Sequence, residues 1–177
     1  IFNKLRPQQV ELIQAIAEKE PPNNAFLKQH YKEEYQEIIG RHVITRFGFD
    51  WERGRMDLAP HPFTTGFGLG DVRITTRYLK DDAGSALFST MHEAGHAMYE
   101  QGIPKEYRRH PLNGSASLAI HESQSRLWEN LIGRSSEFWS FFYPSLQMLF
   151  PQFLGDVSRT DFYRGINKVE PSFIRVE

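Results

Sequence analysis

The sequence contains no cysteine, which excludes disulfides and thiolate ligands and leaves His, Glu and Asp to hold any metal. Neither sign of charge is in excess. Its 21 Lys and Arg stand against 22 Asp and Glu, for a net charge of -1, so no broad basic field exists to attract nucleic acid or anionic lipid. Long hydrophobic runs are also missing: FFYPSLQMLFPQFL at 141–154 is too short to span a bilayer and is broken by Pro144 and Pro151, so it reads as core. No repeat or low-complexity tract appears, which excludes a solenoid. What remains is a globular chain of 177 residues, enough for one domain with a real core. It opens on Ile1 and stops at Glu177 without a terminating signal, so both ends read as cuts.

Helical patterning dominates. Pro7 suits a first turn, and Val10, Ile13, Ile16 and Ala17 follow at helical spacing until Pro21-Pro22. A second helix is expected from Asn24, as N-cap, to Gly48, with Gly40 a candidate interruption. Both read as amphipathic packing helices. From Phe47 to Tyr78 the chain turns rich in Gly and Pro, then alternates through Val72, Ile74 and Thr76. A small β hairpin or sheet is expected near residues 55–80, flanking a site. Helix resumes with Asp82 or Ser85 as cap and runs to about Gln101, where Gly102 and Pro104 stop it. Another is expected from Asn113 or Ser115 to about Gly133, and a last over DFYRGINKVE with Thr160 as N-cap. The fold class is therefore mainly α.

The chemistry concentrates in MHEAGHAMYEQG at 91–102. At about 100° per residue, His92 and His96 lie about 40° apart and one turn apart along the axis, so both imidazoles reach one cation. Glu93 falls about 60° from His96, placed to address a water on that cation rather than to ligate it. Leu87, Met91, Ala94 and Met98 cluster on the opposite side. With this composition a random HExxH arises roughly twice in a hundred such chains, so the motif alone does not settle the matter. A catalytic zinc site needs a third protein ligand and one open position. Glu122, in SLAIHESQSRLWEN on the next expected helix, is the best candidate, with Ile120, Leu127 and Leu131 read as a core stripe on the opposite face. An exposed carboxylate would occupy the same place, so spacing leaves Glu122 open. Glu129 shares its face, either orienting a ligand histidine or solvated.

Five motifs now stand in order: HPF at 61–63, DVRIT at 71–75, HEAGH at 92–96, HESQ at 121–124 and IRVE at 174–177. Through nearly its whole length the sequence resembles the M32 family of metallocarboxypeptidases, the carboxypeptidase Taq group. The resemblance implies a zincin-like helical fold, His92, His96 and Glu122 as metal ligands, and Glu93 as the catalytic carboxylate. It implies Zn2+, with Co2+ or Mn2+ also accepted by such ligands. It further implies peptide substrates with a free C-terminus, a homodimeric full-length enzyme and, with the lack of cysteine, a cytoplasmic setting. Family members are longer at both ends, so residues 1–177 are expected to be the central, zinc-site-bearing part of one larger α-helical peptidase domain.

Recognition of a free carboxylate calls for arginine, whose planar fork binds both oxygens. Arg73, Arg126 and Arg175 are candidates by motif or position, and the resemblance favours Arg175. His61 and Pro62 read as shaping the groove. Asp71 and Arg73 either pair with each other or orient site residues. His121 points away from the direction of Glu122 and reads as a supporting hydrogen-bond partner. The same HExxH logic also fits an oligopeptidase or endopeptidase, and a non-catalytic helical module is the reading from a different class.

Overall fold

A computed structural model describes residues 1–171. In chain order its elements are α1 (Phe2–Ala17), α2 (Glu33–Phe47), β1 (Gly54–Leu58), β2 (Thr64–Gly66), β3 (Val72–Thr76), α3 (Ser85–Gln101), α4 (Leu118–Arg126), α5 (Ser136–Leu149), α6 (Pro151–Leu154) and α7 (Arg159–Ile166). Short 3-10 turns at Ala25–Leu27 and Lys105–Tyr107 and a π-helical segment at Leu127–Ile132 complete the set. The mainly helical class and the small sheet agree with the sequence.

Helix α3 lies between two cores. On one side Leu87, Phe88 and Met91 join Trp139, Phe142 and Phe162 in the larger cluster. On the other, Ala94 and Ala97 pack against Val72, Ile74 and Met56 of the sheet, with Ile44 and Phe49. Small residues on this face let the sheet approach the helix closely. The N-cap of α3 is Gly84, not Asp82 or Ser85, and the Asp82 carboxylate just ahead of it accepts from the backbone N–H groups of Gly84 and Ser85 at 2.9 and 3.0 Å. The strand order is β1-β3-β2, with β1 parallel and β2 antiparallel to β3. Strand β2 is thus an edge strand.

Several boundaries differ from expectation. The helix expected from Asn24 to Gly48 begins only at Glu33. Before it, the Tyr31 N–H bonds to the Lys80 carbonyl at 2.6 Å, and Gln36 donates to the carbonyls of Tyr31 and Leu79, so tertiary bonds outcompete an extra helical turn. Gly40 does not interrupt α2. Gly48 ends it in the left-handed region at φ 107°, where glycine carries no Cβ penalty. α1 extends back to Phe2, ahead of Pro7, and none of its residues is buried, so its apolar stripe is not packed on the described core. α4 starts later than expected, with the Ser117 hydroxyl accepting from the Ile120 N–H, and α7 is capped by Ser158 rather than Thr160.

The stripe assigned to α4 also changes. Ile120 and Leu131 are exposed, Leu127 is half-buried, and the buried residue of α4 is Ser125. The reason is the contact with α3. A Cβ built on Gly95 would lie 2.6 Å from the Ser125 Cα and 2.9 Å from the Gln124 carbonyl, so α4 meets α3 through backbone, not through apolar side chains. Gly95→Ala should therefore lower unfolding stability by about 1–3 kcal/mol, the usual range for overpacking. Denaturant unfolding of the metal-free protein measures this, and unchanged stability would contradict the close approach.

Candidate metal centre

The α3–α4 contact determines which side chains meet. His92 and His96 project from successive turns of α3, and Glu122 from the first turns of α4. The Nε2 atoms of His92 and His96 are 3.2 Å apart. The Glu122 Oε2 atom lies 3.6 Å from the first and 3.2 Å from the second. These three residues form a group able to hold a metal ion. Bonds of about 2.0–2.1 Å to a tetrahedral zinc put ligand atoms about 3.3 Å apart, so the three separations suit such an ion. Two imidazole lone pairs and a carboxylate oxygen facing one point also repel one another unless a cation lies among them.

Each imidazole is held from behind. His92 Nδ1 donates to Glu129 Oε2 at 2.7 Å, which leaves Nε2 with its lone pair toward the common point. For His96 the same requirement puts the proton on Nδ1, 2.6 Å from His121 Nδ1. His121 must then accept at Nδ1, and its Nε2–H donates to Glu100 Oε1 at 2.8 Å. A relay Glu100–His121–His96 results, with one tautomer of each ring. The π-helical segment carries Glu129 toward α3, marked by the Gly133 N–H bonding to the Trp128 carbonyl.

Electrostatics follow from burial and from these partners. Burial drives the His96 pKa down to about 4, and the charges of His92 and His121 act in the same direction, so His96 is neutral at physiological pH. Burial works against ionising Glu122, but the Arg126 hydrogen bond and the histidines outweigh it and hold its carboxyl below the usual range. Glu129 is likewise held low, its burial overcome by the hydrogen bond from His92 and the nearby charges. Glu93 behaves oppositely: at 8% exposure, burial raises its pKa despite a hydrogen bond from Thr64 and the charge of His92.

The other candidates are scattered. Arg126 donates to Glu122 at 2.9 Å and to Glu129 at 3.2 Å, so it braces the centre. Arg73 forms a bidentate pair with Asp71 at 2.8 Å. Because Val72 and Ile74 point toward α3, Arg73 lies on the opposite sheet face. His61 sits in the exposed loop between β1 and β2, near enough for its charge to act on Glu93. Arg175 lies outside the described residues. Two residues escaped the sequence reading. Glu100 sits one turn beyond His96, a spacing that could have flagged it; Thr64 carried no signal except its place after HPF.

With this geometry in view, the chain matches the family model for carboxypeptidase Taq (M32) metallopeptidases over residues 1–177. It is 49% identical over 156 residues to thermostable carboxypeptidase 1 of Thermus thermophilus, covering 88% of this chain and 30% of that protein. To carboxypeptidase 1 of Bacillus subtilis it is 40% identical, covering 100% of this chain and 36% of that one. The solved M32 carboxypeptidase of Deinococcus radiodurans superposes with a TM-score of 0.95 at 45% identity, over 97% of this chain and 35% of that one. The chain thus spans about a third of the length of these relatives.

The supports behind the histidines make a prediction. His121→Phe removes the acceptor from His96 Nδ1 and should weaken metal affinity by roughly 10- to 100-fold, as loss of an outer hydrogen bond does. Chelator competition measures it, and an unchanged affinity would show that the relay does not orient His96.

Proposed function

The chain belongs to the carboxypeptidase Taq (M32) metallopeptidase family, and from that premise we propose that it carries the catalytic centre of a metal-dependent carboxypeptidase. The observation that carries this reading is the convergence of His92, His96 and Glu122 on one point, with the Glu93 carboxylate on the same helix. Residues 1–177 form the central part of a larger α-helical peptidase domain, a reading supported by the share of the relatives they span. Zn2+ is the ion this His/His/Glu set suits best, and Co2+ or Mn2+ are accepted by the same ligands. Bound there, such an ion would supply Lewis acidity, the chemistry that makes water ionisable near neutral pH.

The protein's own residues do the remaining work. Glu93 takes a proton from the attacking water and passes it to the departing amine. Its buried setting raises its proton affinity, which suits a group that must both accept and release a proton near neutrality. Glu129 and the His121–Glu100 pair occupy the outer nitrogen of each ligand imidazole and keep its Nε2 aimed at the common point. Recognition of the free C-terminal carboxylate is assigned to Arg175. Arg126 is committed to Glu122 and Glu129, and Arg73 to Asp71. His61, beside the centre, shapes the groove. The substrates are peptides with a free C-terminus, and the complete enzyme is a cytoplasmic homodimer. Among the described residues no helix is long and apolar enough to cross a membrane.

Glu93→Gln in the complete enzyme should leave metal content unchanged and lower kcat by about 10²–10⁴-fold; retained turnover would remove Glu93 from the mechanism. Products should appear as a ladder of single C-terminal losses, whereas internal cuts would mark an endopeptidase. Arg175→Ala should impair cleavage of free-carboxylate peptides far more than of amidated ones, and equal losses would count against its role.

A further inference from the structure

The HPF and DVRIT motifs lie outside the ligand set, yet the structure joins them into one strut ending at Glu93. The Thr64 hydroxyl, immediately after HPF, lies 2.6 Å from Glu93 Oε2 and 3.0 Å from the Glu93 carbonyl oxygen. A hydroxyl has one proton, and the shorter, charge-assisted contact claims it. Thr64 stands on edge strand β2 opposite Ile74 of β3, whose side chain packs toward α3. Its hydroxyl therefore reaches the helix from the sheet.

Thr75 of DVRIT holds the other end. Its backbone N–H donates to the Phe63 carbonyl at 2.8 Å, and its hydroxyl oxygen accepts from the Phe63 N–H at 2.9 Å. The same hydroxyl lies 3.3 Å from the His61 carbonyl, to which it can donate. A side-chain hydroxyl thus substitutes for a backbone carbonyl where the β2–β3 ladder ends, and it fixes the residue immediately before Thr64. Thr75 is buried, so a lost partner there would not be replaced by bulk water.

We propose that Thr64 is a positioning residue that holds the Glu93 carboxylate in its proton-transfer orientation, and that Thr75 pins the HPF backbone to place it. The proposal rests on Glu93 being the proton carrier. Thr64→Val removes the hydrogen bond at nearly constant volume, so Glu93 gains rotamer freedom while the ligand atoms of His92, His96 and Glu122 stay where they are. A loss of alignment of this size costs about 10- to 100-fold in rate. Thr64→Ser keeps the hydroxyl.

The test uses the complete metal-loaded enzyme. Thr64→Val should lower kcat by about 10- to 100-fold while KM and chelator-measured metal affinity stay within about twofold, and Thr64→Ser should restore kcat. In a Glu93→Gln background Thr64→Val should cost almost nothing further, because the two substitutions disable one step. Thr75→Val, which leaves the Thr64 hydroxyl in place, should show the same kcat-only loss. A crystal structure of Thr64→Val should show Glu93 turned or split between rotamers. The proposal is overturned if Thr64→Val keeps full kcat, if metal affinity falls in step with kcat, or if Ser fails to rescue. An active Glu93→Gln enzyme would instead sink the mechanism on which the proposal stands, so the two failures are distinguishable.

Discussion

At Gly95, between Ala94 and His96, the backbones of α3 and α4 pass too closely for a side chain to fit between them. Most of the site geometry follows from this contact. It carries Glu122 to within 3.2 Å of His96 Nε2, and it buries Ser125, whose hydroxyl bonds back to the Glu122 carbonyl at 2.7 Å. A bulkier residue in the middle of HEAGH would push α4 outward and separate the carboxylate from the imidazoles. The motif therefore encodes a helix contact as well as two histidines of the candidate metal centre.

Around that contact, polar partners convert proximity into orientation. Glu129 stands behind His92, and His121 with Glu100 behind His96, so each ring has one nitrogen occupied and one free. Arg126 spans Glu122 and Glu129 and offsets the accumulation of carboxylates. From the other side the sheet contributes Thr64. The centre is thus braced by α4, by the π-helical segment and by β2, with α3 common to all three.

The parts legible in the sequence are those set by local geometry. Helical spacing is enough to bring His92, Glu93 and His96 to one side of α3, and the shared face of Glu122 and Glu129 follows from the same rule. That Glu122 comes close to the histidines depends on a backbone contact between two helices, which no periodicity carries; the resemblance supplied it. Apolar spacing also misled at α1 and α4. The spacing of Val10, Ile13 and Ile16, or of Ile120, Leu127 and Leu131, gives a helix an apolar face without saying what covers it: the three in α1 and both Ile120 and Leu131 are exposed, and Leu127 is half-buried. The expected helical turn before Glu33 was lost to tertiary bonds from Tyr31 and Gln36. Thr64 was illegible because its role depends on the strand order β1-β3-β2, which sets the short β2 beside α3.

The most direct measurement is anomalous X-ray scattering at the zinc edge from crystals of the metal-loaded enzyme. One peak is expected at about 2.0–2.1 Å from Nε2 of both His92 and His96 and about 2.0–2.2 Å from a Glu122 carboxylate oxygen, with Glu93 outside the coordination sphere. A peak with Glu122 out of reach and another group in its place, or with Glu93 as a ligand, would contradict it.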